Sequence, residues 1–514
     1  MPVSPTYPGV YIQEVSSGVR TVAGVATSIA AFVGRTKRGP VNEPMPCFNF
    51  GEFTRRFGGL WLDGPLSYAV DDFFANGGGQ CEIVRLFEED GDEGVATAQF
   101  LAAFDLEASS PGDWGNSLTA TVTLPEDNPG TQAAAAKYGL TVAQLFDLTI
   151  VDADSGATET FRNLTAEDNE RRVDRVLADQ SSLVRCVAAP LALPPAGTVP
   201  FAGGNDGTAL ADATYLGDEV QKTGLYALKK ADIFNLLCVP PDVRGGDLPQ
   251  DVREEALRLC KAERALFIVD PPADWDSNPA DAATKAKTEQ LANPLLPLAD
   301  ADYAALFFPR IVKRDRLSGG QLDAFPPCGA VAGVMARTDV NRGVWKAPAG
   351  LAATLSNTDG LTVKLTDEEN GLLNPIAINC LRTFPNIGRV VWGARTMKGS
   401  DQLSDDYKYI PVRRLALFIE ESLYRGTQWV VFEGNDEPLW AQIRLSVGTF
   451  MQRLFKQGAF QGTAPRDAYF VKCDGETTTQ DDRNRGIVNI VVGFAPLQPA
   501  EFVVISIQQI RNAA

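Results

Sequence analysis

Two apolar runs with an amphipathic stretch between them constrain this chain more than any other feature. "IFNLLCVPP" (233–241) and "ALFIVDPP" (265–272) are of strand length and lack polar alternation, while "QDVREEALRLCKAE" between them spaces its apolar residues as a helix does. A strand without a polar face must be covered on both sides, and a helical crossover makes two such strands parallel neighbours. A layered α/β core is therefore expected. "SIAAFV" (28–33), "QCEIVRLF" (80–87) and "YAALFFPRIVKRD" (303–315) supply further strands. "FGEFTRRFGG", "LSYAVDDFFANGGG" and "PPCGAVAGVMARTDV" supply helices, the second closed by glycine.

At Glu88 the rhythm breaks. "EEDGDEG" (88–94) and "AGGNDG" (202–207) resemble the two stems of an insertion, and residues 95–203 hold 14 acids against 6 bases. Strand-like pieces at 118–124 and 145–151 and a helix-like piece at 167–178 lie inside it. A separate, solvent-facing domain inserted into the first is expected there. "GVWKAPAG" (343–350) marks a second joint. Beyond it, "NPIAINCLRTFPNIGRVVWGARTM" reads as strand and turn, and "YIPVRRLALFIEESLYRGTQWVVFEG" as a helix followed by a strand. "EPLWAQIRLSVGTFMQRLFKQGAFQG" is a long amphipathic helix with Trp440, Ile443, Val447, Phe450, Met451 and Leu454 on one stripe.

Each end of the chain carries a strand without a local partner: "PTYPGVYIQEV" (5–15) and "EFVVISIQQI" (501–510). An unpaired strand is a template for another chain, so these two either complete a sheet of their own subunit or pair in trans.

The 514 residues contain no histidine, which removes Ser-His-Asp and Cys-His nucleophile pairs and His-ligated zinc together. Eight cysteines lie far apart without a CxxC, and are expected as reduced thiols in the core. "NGGGQ" (76–80), "SGGQ" (318–321) and "GAVAGV" (329–334) do not fit GxxxxGK[ST], nor GxGxxG after a strand, and are read as turns and helix caps. The acid pairs Asp71-Asp72, Asp405-Asp406 and Asp481-Asp482 are read as solvated charge rather than as hydrolytic carboxylates or cation ligands. No catalytic, cofactor-binding or metal site is expected. No window has the roughly 18 apolar residues of a membrane span, and "MPVSPTYPGV" lacks the features of a signal peptide, so cytoplasmic synthesis is expected.

Net charge is −18, which argues against nucleic acid as a direct partner. From Pro438 to Arg466 there is nevertheless no acid, while Arg444, Arg453, Lys456 and Arg466 are basic. This run is either the solvated face of a core helix or a docking face for an acidic partner.

"YPGVYIQEV", "GVATSIAAFVGRTKRGP", "FGG", "FFANGGGQCEIVRL", "GVWKAPAG", "RTFPNIGRVVWGARTM", "IPVRRLALFIEESL", "TQWVVFEGNDEPLW" and "GFAPLQPAEFVVISIQQ" together resemble the tail sheath proteins of contractile phage tails and phage-tail-like injection systems. The resemblance covers about 5–94 and 204–510 and fails over the insertion. It implies a mixed α/β (α+β) fold: a discontinuous sheath core (25–94 with 204–350), an inserted, mainly β outer domain (95–203), a C-terminal domain facing an inner tube (351–500), and terminal strand arms (1–24 and 501–514). It implies a structural subunit rather than an enzyme, forming sixfold rings stacked into a helical sheath that contracts and drives the tube through a target envelope. The implied partners are other copies, the inner tube protein, and baseplate and terminal cap proteins, without cofactor or membrane insertion. Carried onto this sequence, Tyr7, Val10, Tyr11, Ile12 and Val15 form one arm, and Phe502, Val503, Val504, Ile505 and Ile507 the other. Ile487, Val488, Ile490 and Val491 would accept an arm; charge singles out Arg444, Arg453 and Lys456, then Arg413 and Arg414, as tube-facing. A static tube- or capsid-like polymer subunit and an α/β enzyme are the alternatives.

Overall fold

A computed structural model describes residues 21–100 and 103–502. The chain divides into two compact units, Ser28–Asn341 with Pro348–Ile410, and Arg342–Ala347 with the residues up to Thr27 and from Pro411 onward.

The larger unit is built on an eight-stranded sheet in the order Gly388–Val391, Ile378–Phe384, Ala304–Phe308, Leu266–Val269, Leu236–Cys238, Ala30–Gly34, Cys81–Arg85, Met45–Cys47. The six inner strands run parallel and each edge strand pairs antiparallel. In-register pairing, such as Ala31 opposite Leu237 and Leu237 opposite Phe267, sorts alternate residues onto two cores. Ala31, Val33, Leu237, Phe267 and Phe308 join one, with residues of helices Gln250–Ala262 and Ala282–Ala292. Phe32, Ile83, Leu236, Ile268 and Phe307 join the other, with helices Pro65–Ala75 and Cys328–Arg342. The uninterrupted apolar runs are thus strands covered on both faces.

Helix Cys328–Arg342 approaches Pro65–Ala75 closely enough that a Cβ on Gly329 would stand 2.0 Å from the Ala69 carbonyl oxygen, and one on Gly333 2.4 Å from that of Phe73. "GAVAGV" is therefore neither turn nor cap: its glycines let two helices touch backbone to backbone. "NGGGQ" and "SGGQ" do lie in turns, with Gly77, Gly319 and Gly320 at positive φ.

After Cys81–Arg85 the chain leaves the sheet, builds residues 95–203, and re-enters at Leu236–Cys238 on the other side of Ala30–Gly34. The excursion is mainly β. One antiparallel sheet orders Gly197–Pro200, Leu118–Thr123, Phe146–Asp152 and Thr158–Leu164; a second orders Thr97–Phe100, Phe104–Ala108 and Val184–Cys186. Its core runs from Ala96 to Phe201 and includes Trp114, Phe146 and Leu177. The stems run side by side, Asn205 N donating to Gly94 O and Thr208 N to Glu88 O.

The smaller unit packs helices Ile410–Gly426 and Glu437–Lys456 around Leu415, Ile419, Trp440, Ile443, Phe450 and Leu454, with Val22 and Val344 in the same core. Residues 21–27 are bound to it: Val25 N donates to Ser422 Oγ, Arg414 Nη2 to Thr27 O and Arg453 Nη2 to Val22 O. "TQWVVFEG" is not a strand; it forms a 3-10 turn, Gln428–Val430, and an exposed bend. The division expected after residue 350 falls after 410, because Ile378–Phe384 pairs in parallel with Ala304–Phe308 and belongs to the large sheet.

Candidate assembly surface

The smaller unit ends in a two-stranded antiparallel sheet, Tyr469–Lys472 with Val491–Phe494, in register Tyr469 opposite Phe494. Two strands alone are marginally stable; a third strand or packing against a helix is needed, and here the helices supply the packing. Phe470 is 50% exposed and Val491 43%, and among the described residues no third strand lies on either flank. Val471, Val492 and Phe494 turn instead toward the helical core.

Of the acceptor residues, Val491 opens the second strand, whereas Ile487, Val488 and Ile490 precede it as half-buried chain outside any strand. That stretch is fixed by side chains: Asn435 Nδ2 donates to Ile487 O at 3.0 Å, and Asn489 donates from its backbone N to Thr478 Oγ1 and from Nδ2 to Thr477 O. Tyr7, Val10, Tyr11, Ile12, Val15, Val503, Val504, Ile505 and Ile507 lie outside the described residues; Phe502 is the last of them and is 75% exposed.

Helix Glu437–Lys456 begins at Asp436, whose carboxylate accepts from Glu437 N, and carries its cations late, where the helix dipole favours them. Arg453 and Lys456 are exposed. Arg453 also lies 5.5 Å over the Phe450 ring. Arg444 is half-buried, bonded to Cys473 O and to Glu437 Oε1. Arg413 and Arg414 are each only 3% exposed, Arg414 holding Thr27 O and Arg413 standing 3.9 Å from Glu420. A buried guanidinium offers no surface for docking, so of the five cations named from charge, Arg453 and Lys456 are the ones the subunit presents.

The acid pairs have structural partners. Asp72 and Asp71 bind Lys313 and Arg316, Asp405 binds Lys398, and Asp482 closes a capping box with Thr479. Asp72 and Lys313 belong to a buried ionic cluster with Tyr68, Arg244 and Asp315. The sequence reading missed it, although Lys313 and Asp315 alternate with Ile311 on one face of a strand (Ile311–Asp315), as inward-facing charges would. Seven cysteines are buried, and Cys186 is half-buried; all are free. No helix among the described residues is long and apolar enough to cross a membrane.

Against known proteins, residues 222–397 match the phage tail sheath protein central domain and residues 402–510 the phage tail sheath C-terminal domain, together more than half of the chain. Over 157 residues the chain is 27% identical to the tail sheath protein of Salmonella phage ViI, a stretch covering 30% of this chain and 24% of that protein. The matched stretch thus spans about a quarter of the length of the curated relatives. In fold, it is similar to the helical sheath of the anti-feeding prophage in its contracted state (TM-score 0.56, 22% identity, covering 98% of this chain and 100% of that one). It is also similar to a sheath tail protein from Listeria innocua (TM-score 0.61, 13% identity, 93% and 96%). Two ordered family domains and a whole-chain likeness of fold lead to one conclusion: the chain belongs to the phage tail sheath protein family.

Proposed function

We propose that this chain is the structural subunit of a contractile sheath, which polymerises in sixfold rings around an inner tube and contracts to drive the tube through a target envelope. Its terminal arms link neighbours by strand exchange, with Tyr7–Val15 of one copy and Phe502–Ile510 of another adding to the sheet Tyr469–Lys472/Val491–Phe494 of a third. The observation that carries this reading is that sheet, whose two strands pair with no third among the described residues and so leave backbone groups at its edges for an added strand. Four or five added backbone hydrogen bonds at about 0.5–1.5 kcal/mol each give a joint of roughly 2–7 kcal/mol, modest singly but decisive when repeated along a polymer. Arg453 and Lys456 face an acidic inner tube, and the ends of the polymer meet baseplate and cap proteins. Contraction would draw on bistable packing between subunits, without catalysis or cofactor. The acidic insertion would face outward and keep the particle soluble.

Deleting residues 1–15 tests the arms. The truncated subunit should remain folded yet form no long sheaths by negative-stain microscopy; sheaths of ordinary length would remove strand exchange from the mechanism. Particles of one diameter before and after a triggering treatment would favour a static polymer instead.

A further inference from the structure

Phe432 combines two unfavourable features. Its side chain is fully exposed, with Val431 beside it 62% exposed, and its φ is +69°, in the left-handed region. Four of the seven other non-glycine residues described with positive φ are asparagines, which tolerate that conformation; a bulky aromatic does not. Glycine or asparagine would make the same bend without strain and without an apolar surface in water.

The bend is nevertheless firmly built. Glu433 N donates to Val430 O, and Val430 N to Thr427 O. Asn435, three residues on, donates to Ile487 O and accepts from Trp440 Nε1, while Asp436 caps the following helix and receives Arg483. An aromatic held rigidly outward is preorganised for contact, losing little freedom when bound.

We propose that Val431–Phe432 is an anchor that inserts into an apolar recess on a second copy of this chain. This rests on the sheath reading. Two observations select that partner. The anchor is tied through Asn435 to Ile487, the start of the segment assigned as arm acceptor, so a neighbour delivering its arm there brings its surface over Phe432. The anchor is also followed directly by exposed Glu433, which an acidic tube facing Arg453 and Lys456 would repel, whereas Asp436 and Glu437 already hold Arg483 and Arg444. A knob on one face that fits a recess on another makes a head-to-tail contact, the kind that builds rings where the rotation closes and helical stacks where it does not.

The test uses the full chain co-produced with its tube. Phe432→Gly and Phe432→Asn should unfold at the same temperature as the wild type or higher, through relief of strain, while sedimentable sheath falls about tenfold or more; Phe432→Leu should keep a substantial part of assembly. Polymer within about twofold of wild type in both Phe432→Gly and Phe432→Asn would overturn the proposal. A photo-crosslinking amino acid at 432 should yield sheath–sheath adducts, and adducts to the tube protein alone would equally overturn it. If the wild type forms no sheath, the sheath reading fails; wild-type sheaths unaffected by the substitutions remove only the anchor.

Discussion

Lys313→Met tests the buried charges of the larger unit. The Lys313 ammonium lies 2.6 Å from Asp72 Oδ2, with the two side chains 4% and 1% exposed. The same ammonium lies 5.3 Å from the Tyr68 ring and 4.8 Å from that of Phe325. Burial pushes the Asp72 carboxyl up from 3.8 to about 6 even with the lysine beside it. Methionine keeps the apolar stem but leaves the carboxyl without its cation, so Asp72 escapes ionisation only by taking up a proton. Holding that proton at pH 7 on a group that ordinarily titrates at 3.8 costs about 4 kcal/mol, of which the present shift to about 6 already represents about 3. The lost charged hydrogen bond and cation–π contacts add about 1.5–3 kcal/mol, so urea unfolding of dilute subunit at pH 7 should show a loss of about 2–4 kcal/mol. The sign with pH follows from a folded pKa above the unfolded one: stability falls as pH rises from about 4 through the folded value. The variant's folded value is the higher, so the gap to wild type should narrow by about 1 kcal/mol between pH 7 and pH 5. Adding Asp72→Asn, which keeps the bond with Asn357, should restore most of the loss. A loss below about 1 kcal/mol, an equal gap at both pH values, or a double variant no better than the single would refute the reasoning.

Asp270 accepts from Cys328 N at the start of helix Cys328–Arg342, and burial raises its carboxyl to about 7, so its ionisation opposes folding as pH rises from about 4 through 7. Asp270→Asn keeps an acceptor and removes the charge. It should stabilise the subunit at pH 8 by about 1–3 kcal/mol, below the full shift because the residue is only partly buried, and the gain should vanish by pH 4 in thermal melts. Arg453→Glu with Lys456→Glu should abolish co-sedimentation with the tube at low salt while lowering the melting temperature by only about 2–6 °C, the loss coming from the Arg453 bond to Val22 O and its contact with Phe450; unchanged co-sedimentation removes that face from the tube contact.

The parallel sheet was legible because burial on both faces leaves a one-dimensional mark: "IFNLLCVPP" and "ALFIVDPP" carry no polar alternation, and the residues that do alternate sort into the two cores. The stripe of Glu437–Lys456 was legible for the same reason, Trp440, Ile443, Val447 and Phe450 all being buried. "TQWVVFEG" misled because β-branched and aromatic residues favour strands only where a neighbour strand exists; here Trp429 and Val430 pack on the helical core, the chain bends at Phe432, and Val431 and Phe432 face outward. "GAVAGV" misled because a glycine needed for closeness to another helix looks, in sequence, like one needed for a turn. Charge alone set Arg413 and Arg414 beside Arg453 and Lys456; only burial tells them apart, and the partner that holds Arg414, Thr27 O, lies nearly 400 positions away. The partner of a buried charge is likewise distant, Asp72 and Lys313 being 241 residues apart.

The route of the chain around the large sheet bears on what such a core can do. A doubly wound sheet opens a crevice at the carboxyl ends of its strands where the winding reverses, and ligands of such folds enter there. In this protein the reversal lies between Ala30–Gly34 and Leu236–Cys238. The residues just beyond them, Arg35 and Asp242, are paired at 2.6 Å, and the returning stem of the insertion binds both: Arg35 Nη1 donates to Thr208 O and Asp242 Oδ2 accepts from Leu210 N. One strand over, the buried Arg85 guanidinium donates to Thr36 O and Gly39 O of the core and to Pro111 O of the insertion. Arg38 reaches Asp152 in the insertion at 3.1 Å. These ties lie along the carboxyl end of the sheet, beside an open cleft lined by Arg35, Trp61, Asp206 and Arg244. Because the clamp runs through backbone carbonyls and buried cations rather than through a linker, the insertion and the parallel sheet belong to one compact unit.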